Sequence, residues 1–175
     1  MQRRHPPKTY NVSSIDLAYM AGIIDGEGCI SARRRSHRKG KRPNSTPTLA
    51  IANTHRGLLE WVTVKFGGNI CSPRNQIRRP THKQIYQWSM EGSCVYDLLR
   101  LVLPYLVVKR NQAEVVMEMV EIKDNASPEN GGTCAGIGGT GSDYTDHTFD
   151  KLDDLWAKIQ KLNQRGVSII DGGIV

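Results

Sequence analysis

The stretch AYMAGIIDGEGCI, Ala18 to Ile30, runs small and apolar side chains into a glycine-flanked acidic turn. Carboxylates are unfavourable at a helix C-terminus, where the macrodipole is already negative. Asp25 and Glu27 therefore call for a positive neighbour, in a chain of formal net charge +7. Ser13 or Ser14 can cap the start of a helix whose apolar content is Ile15, Leu17, Tyr19, Met20, Ile23 and Ile24. Gly26 and Gly28 predict its end near Asp25. Ala18, Gly22 and Gly26 recur every four residues with Ala21 beside them, and such a stripe lets two helix backbones approach closely. It suits a helix packed on its own domain as well as one paired with a second copy. In a two-fold pair, two Asp25/Glu27 turns would meet at the axis. Carboxylates and helix-end carbonyls, that of Gly26 included, would then suit a hard cation such as Mg²⁺. An ordinary acidic turn is the competing reading.

Working outward, residues 1–12 read as a basic N-terminal arm. After the first helix come two strands, about 29–38 and 47–53, joined by a Gly- and Pro-containing loop. THRGLLEWVTVKFGG reads as a helix with Leu58, Leu59, Val62 and Phe66 on one face, ended by Gly67 and Gly68. A second hairpin is expected at about 69–78 and 83–90. Helices follow at about 93–103 and 109–123, broken at Pro104. Residues 125–147 form a glycine-rich loop. Thr148 can cap a last helix to about Asn163, with Phe149, Leu152, Leu155, Trp156 and Ile159 as its stripe. Residues 166–175 are an uninformative tail. The fold class is α+β: one domain over 13–165, with a four-stranded antiparallel sheet and helices on one face.

The charge is unevenly placed. Residues 1–92 carry 16 Lys and Arg against 5 Asp and Glu, a balance of +11; residues 93–175 carry 8 against 12, a balance of −4. A basic half on an otherwise mildly acidic chain indicates a polyanion-binding face. Hydrophobic content of 38% and charged content of 23% indicate a soluble globular protein. No apolar run is long enough to span a membrane, and the N-terminus lacks the apolar core of a secretory signal. Cys29, Cys71, Cys94 and Cys134 form no CxxC pair and read as reduced intracellular thiols. GIGGTG at 136–141 follows no apolar strand, which excludes a dinucleotide site. His5, His37, His55, His82 and His147 show no metal-ligand spacing. Trp61, Trp88 and Trp156 fall at core positions.

Strand alternation assigns the faces. Ile30, Ala32, Leu49, Ile51, Tyr86, Trp88 and Met90 turn inward. Ser31, Arg33, Arg35, His37, Thr48, Ala50, Ile85, Gln87 and Ser89 turn outward. Such a face can read base edges in a major groove, which admits a β-ribbon. Arg74, Gln76 and the turn regions Arg38, Lys39 to Arg42 and Arg78, Arg79 to Lys83 would add phosphate contacts. A solvated edge strand protected by charge is the competing reading of the arginine run.

YMAGIIDGEG resembles the LAGLIDADG motif of homing endonucleases: Met20 to Gly28 match it in order. The helix–hairpin–helix–hairpin–helix order, the basic hairpins and LPYLVVKRNQA are similar to the single-motif, homodimeric branch over about residues 12–125. The resemblance implies an αββαββα core with a saddle-shaped sheet along a long pseudo-palindromic DNA site. It implies a dimer interface on the motif helices (Ala18, Ala21, Gly22, Asp25). It implies divalent-metal-dependent cleavage of both strands across the minor groove, leaving short 3′ overhangs. The metal would be Mg²⁺, with Mn²⁺ substituting. Glu27 would bind it together with the Gly26 carbonyl, and Asp25 would cap backbone at the helix interface. Lys109 would organise the catalytic water and offset phosphate charge. A polar residue after the second strand would be Asn53, or Thr54 in a register one later, with His55 or Arg56 as the basic residue beyond it. The gene would sit in a mobile intron, in a prokaryotic cytoplasm or an organelle. Two other functions fit the same fold and charge: an RNA maturase assisting its host intron, and a DNA-binding regulator that does not cut.

Overall fold

The structure, a computed structural model, describes residues 8–35, 42–71, 83–126, 144–164, 169–170 and 173–174; of residues 35, 169–170 and 173–174 it describes the backbone only. Helix α1 spans Ser14–Glu27. Ser13 is its N-cap, in a reciprocal capping box in which Asp16 Nα–H donates to Ser13 Oγ at 3.2 Å and Ser13 N–H donates to Asp16 Oδ2 at 2.9 Å. The helix runs two residues past Asp25, further than its glycines suggested, and ends where the Gly28 N–H reaches Ile24 O. Met20, Ala21, Ile23 and Ile24 are buried, yet Ile15 and Tyr19 are exposed by 79% and 54%. A helix apolar all round ordinarily has both faces covered; this one has a free face.

Strands β1 (Gly28–Arg35), β2 (Asn44–Asn53), β3 (Asn69–Cys71) and β4 (Tyr86–Glu91) form an antiparallel sheet of order β1-β2-β4-β3. The expected alternation holds: Ile30, Ala32, Leu49, Ile51, Trp88 and Met90 are buried, and Ser31, Thr48, Ala50, Gln87 and Ser89 are not. β2 begins at Asn44, three residues earlier than expected, and contains Pro47. Proline is tolerated there because the β2–β4 ladder ends at Thr48 opposite Glu91; past it Pro47 contributes only its carbonyl, which accepts the Gly92 N–H at 2.9 Å. β4 starts at Tyr86 rather than at Lys83, and the described part of β3 ends at Cys71.

Helix α2 (Arg56–Phe66) follows β2, capped by His55, whose Nδ1 accepts the Leu58 N–H at 3.1 Å. The turn after it needs glycine. Gly68 has φ +87°, and a Cβ there would lie 2.5 Å from Trp88 Nε1, which itself donates to Gly67 O at 2.8 Å. Helix α3 (Ser93–Val102) passes through a 3-10 turn at Leu103–Tyr105, holding Pro104, to α4 (Arg110–Ala126). Helix α5 (Asp146–Leu162) is capped by Thr145, not Thr148: Thr145 Oγ1 accepts the Thr148 N–H, and Thr148 itself is buried. The connection between α4 and α5 is thus shorter at both ends than 125–147, and its interior, with GIGGTG, lies outside the described residues. β5 (Ile169–Ile170) and β6 (Gly173–Ile174) form a separate two-stranded ladder. The helices bury one core against the inward face of the main sheet, and none of the described helices covers the other face. No described helix is long and apolar enough to cross a membrane.

Candidate functional site

The C-terminal end of α1 has no basic residue in its own last turn. The positive group comes from 84 residues away. Lys109 Nζ donates to Ile24 O at 2.8 Å, which the Gly28 N–H also reaches, and to Asp25 O at 2.7 Å, so it caps carbonyls of the last turn. Asp25 secures the same junction: its Oδ2 accepts the Val107 N–H at 2.8 Å and its Oδ1 the Lys109 N–H at 2.9 Å. The Asp25 carboxylate thus caps backbone within its own chain. Burial pushes the Lys109 ammonium below its ordinary pKa, against opposing attraction from Asp25, Cys29 and Glu27. Glu27 is exposed at the helix end, and its carboxylate has no hydrogen-bond or ion-pair partner among the described residues.

Gly28 fixes how this end meets the sheet. A Cβ at Gly28 would lie 2.7 Å from Ile24 O and 2.8 Å from Ile24 Cα, so only glycine lets β1 leave α1 so closely. Gly22 and Gly26 are different: a Cβ at either would meet nothing within 4 Å. Of the proposed interface residues, Ala18 and Gly22 lie exposed on the free face of α1, whereas Ala21 is fully buried in its own core and Asp25 is half-buried in the junction with Val107 and Lys109. Val107 and Val108, exposed by 84% and 68%, extend the free apolar surface beside that junction.

Asn53 and His55 form the turn into α2, where Asn53 Oδ1 accepts the His55 N–H at 2.8 Å. Both line a cavity of about 450 Å³ with Tyr19, Gly57, Leu58 and Trp61, adjoining the free face of α1. Thr54 is exposed in the same turn. Arg56 is committed elsewhere: Nε pairs with Glu60 at 2.8 Å, and its guanidinium lies 5.7 Å from the Tyr86 ring centroid. Lys109, Asp25 and Glu27 therefore come together at one helix end, while Asn53 and Arg56 belong to the β2–α2 turn.

On the uncovered sheet face, Ser31, Thr48, Ala50 and Gln87 are half-buried and Arg33 is exposed, its guanidinium 2.9 Å from Glu91. Lys83 is exposed ahead of β4. The Arg35 side chain, His37, Arg38, Lys39, Arg74, Gln76, Arg78 and Arg79 lie outside the described residues. Arg42 does not extend that basic surface as expected. It pairs with Asp150 at 2.8 Å and Asp153 at 2.9 Å, which hold its pKa above the ordinary value. Sequence reasoning missed this because the carboxylates lie more than 100 residues away, on a helix whose docking position no local pattern reveals.

Metal chemistry can be tested on the donors. No group of three or more His, Cys, Asp or Glu side chains poised for a metal occurs among the described residues. At the α1 end one chain offers a single free carboxylate, Glu27, and Lys109 already occupies two nearby carbonyls. Mg²⁺ is commonly held by one or two protein carboxylates together with substrate phosphates and water. The donor set fits a cation shared with a phosphate backbone and does not fit a closed structural metal site.

No protein-family model matches the chain, and neither does any curated protein sequence. Solved structures do. The homing endonuclease I-CvuI, in complex with DNA in the presence of magnesium, superimposes with a TM-score of 0.63 at 20% identity, over 89% of this chain and 87% of that one. The archaeal intron-encoded homing endonuclease I-Vdi141I, complexed with DNA, gives a TM-score of 0.63 at 18% identity, over 90% and 89%. The LAGLIDADG homing endonuclease I-LtrWI, bound to target DNA, gives 0.57 at 13% identity, over 86% of this chain but 46% of that one. The fold of this chain is that of the LAGLIDADG homing endonucleases.

Proposed function

We propose that the chain is a homodimeric, divalent-metal-dependent DNA endonuclease that cuts both strands of a long pseudo-palindromic site across the minor groove, leaving short 3′ overhangs. The observation that carries this reading is Glu27: an exposed, unpartnered carboxylate at the end of the motif helix, beside the Lys109 ammonium, on a fold shared with DNA-bound endonucleases. Glu27 and the Gly26 carbonyl would hold the cation, which when bound stabilises charge developing on phosphate oxygens. Lys109 spends two of its three N–H donors on α1 carbonyls and has one left for a phosphate oxygen or a water. Asn53, at the β2 end, would orient water from the cavity side, and Arg56 would face the backbone once Glu60 yields it. Ser31, Arg33, Thr48, Ala50 and Gln87 would lie along the major groove.

The dimer follows from three supports. One Glu27 serves one strand, so two cuts need two copies. Gly22 and Gly26 have open space where alanine would favour the helix by about 1 kcal/mol each, and close approach of a second backbone accounts for glycine there. Ile15 and Tyr19 leave an exposed apolar face on the same helix.

The test uses a duplex made by joining the sequences that flank the insertion carrying this reading frame. Wild-type protein should cut both strands with Mg²⁺. Chelator should abolish cutting, and Glu27→Gln should lower the rate about a thousandfold or more while leaving binding intact. Tight binding without cutting in Mg²⁺ or Mn²⁺ would establish the regulator reading instead. Preference for the host intron RNA, independent of Glu27, would establish the maturase.

A further inference from the structure

The β1–β2 hairpin outruns the sheet. β4 pairs with β2 only from Asn53 to Thr48, so residues 44–47 have no strand partner but β1; beyond it only single bonds reach them, from Gly92 N–H to Pro47 O and from Lys123 Nζ to Ser45 O. The outer end, 32–35 with 44–47, is a two-stranded ribbon, an arrangement that is marginal without packing support. Helix α5 supplies that support along its length. Asn163 Nδ2 donates to Ile30 O at 2.9 Å. Arg34 pairs with Asp153, and its guanidinium lies 4.8 Å from the Trp156 ring centroid. Arg42 joins Asp150 and Asp153 and lies 5.2 Å from the Phe149 ring centroid. Both arginines lie in or beside the ribbon, one on each arm, and Asp153 bridges them.

We infer that α5 is a brace for this ribbon, and that Asp150 and Asp153 are positioning residues for DNA recognition. They hold Arg34 and Arg42 against the helix and so fix the direction in which the outward-facing Arg33 meets the duplex. The DNA half of this inference rests on the proposed function; the brace does not. Single exposed ion pairs contribute little to stability. These are shared, stacked on aromatic rings and placed beyond the end of the β2–β4 ladder, where the rest of the sheet holds the ribbon only through Arg33–Glu91 and Gly92 N–H to Pro47 O, so their effect is geometric.

The experiment compares full-length wild type with Asp150→Asn/Asp153→Asn. Amide hydrogen exchange in 32–35 and 44–46 should quicken on the order of tenfold, while 86–91 stays unchanged. The conservative variant Asp150→Glu/Asp153→Glu, which keeps both carboxylates, should hold exchange near wild type and guards against general misfolding. Affinity for a non-specific duplex is then measured against salt. Each freed arginine that reaches a phosphate adds about 0.9 to the log–log slope, so the double variant should be steeper by about 0.9–1.8. Unchanged exchange overturns the brace. Faster exchange with an unchanged slope overturns the positioning role. A wild-type protein that does not bind the duplex at low salt overturns the DNA reading and with it the positioning role, while the exchange result still decides the brace.

Discussion

Gly28 and Lys123 show how single positions are constrained for opposite reasons. A methyl at Gly28 would press on the Ile24 backbone, which cannot move without opening the last turn of α1. Gly28→Ala should cost about 1–3 kcal/mol, read as a lower urea midpoint with an unchanged slope. Lys123 is half-buried and sets its ammonium under β2, donating to Ser45 O. Burial pushes it from an ordinary 10.5 down to about 8. Between those values the unfolded chain binds more protons at this group than the folded one, so stability rises with pH across the window. Below about pH 8 the desolvated charge exerts its full cost, about 3 kcal/mol before its hydrogen bond offsets part of it. Lys123→Met should therefore stabilise the protein at pH 7, and the gap to wild type should close between pH 8 and pH 10. A gap independent of pH would show that Lys123 titrates normally.

Elements differ in how far local sequence reveals them. The sheet faces were legible because alternation is a property of the strand itself: Ile30, Leu49, Ile51 and Trp88 are all fully buried. Helix ends were less so. Thr145 and Thr148 are both competent caps, and the choice falls to Thr145 because Thr148 packs inward with Phe149. The demand for a positive group at the end of α1 was legible from Asp25 and Glu27, and Lys109 was singled out for another role. That one answers the other depends on the turn at Leu103–Tyr105 folding back onto α1, which only tertiary packing decides. Removing the ammonium leaves Asp25 O without this donor and Ile24 O with only the Gly28 N–H. Lys109→Met should then lower stability by about 1–3 kcal/mol, seen in thermal unfolding without DNA or metal. A loss of cutting with no loss of stability would show that the cap is dispensable and the role purely catalytic.

The whole molecule leaves two surfaces unexplained by one chain: the open face of the sheet and the apolar face of α1. Ile15 and Tyr19 on that helix, with Val107 and Val108 beside its end, form an exposed apolar surface of the kind that marks interaction sites. A basic protein needs a reason to keep it. Closing α1 on a second α1 covers Ile15 and Tyr19, uses the bare faces of Gly22 and Gly26, and brings two Glu27 carboxylates to one axis, where a phosphate backbone and cations would offset them. The open space at Gly22 makes this separable from folding. A Cβ at Gly22 meets nothing within 4 Å among the described residues, and Gly22→Leu replaces the poorest non-proline helix former with a good one, worth up to about 1 kcal/mol. Its melting temperature as a monomer should hold or rise. Sedimentation should show wild type at twice 19.5 kDa and the leucine variant at once that mass, and double-strand cutting should fall with the loss of the dimer. A leucine variant that still sediments as a dimer would place the interface elsewhere and leave the exposed face of α1 to a different partner.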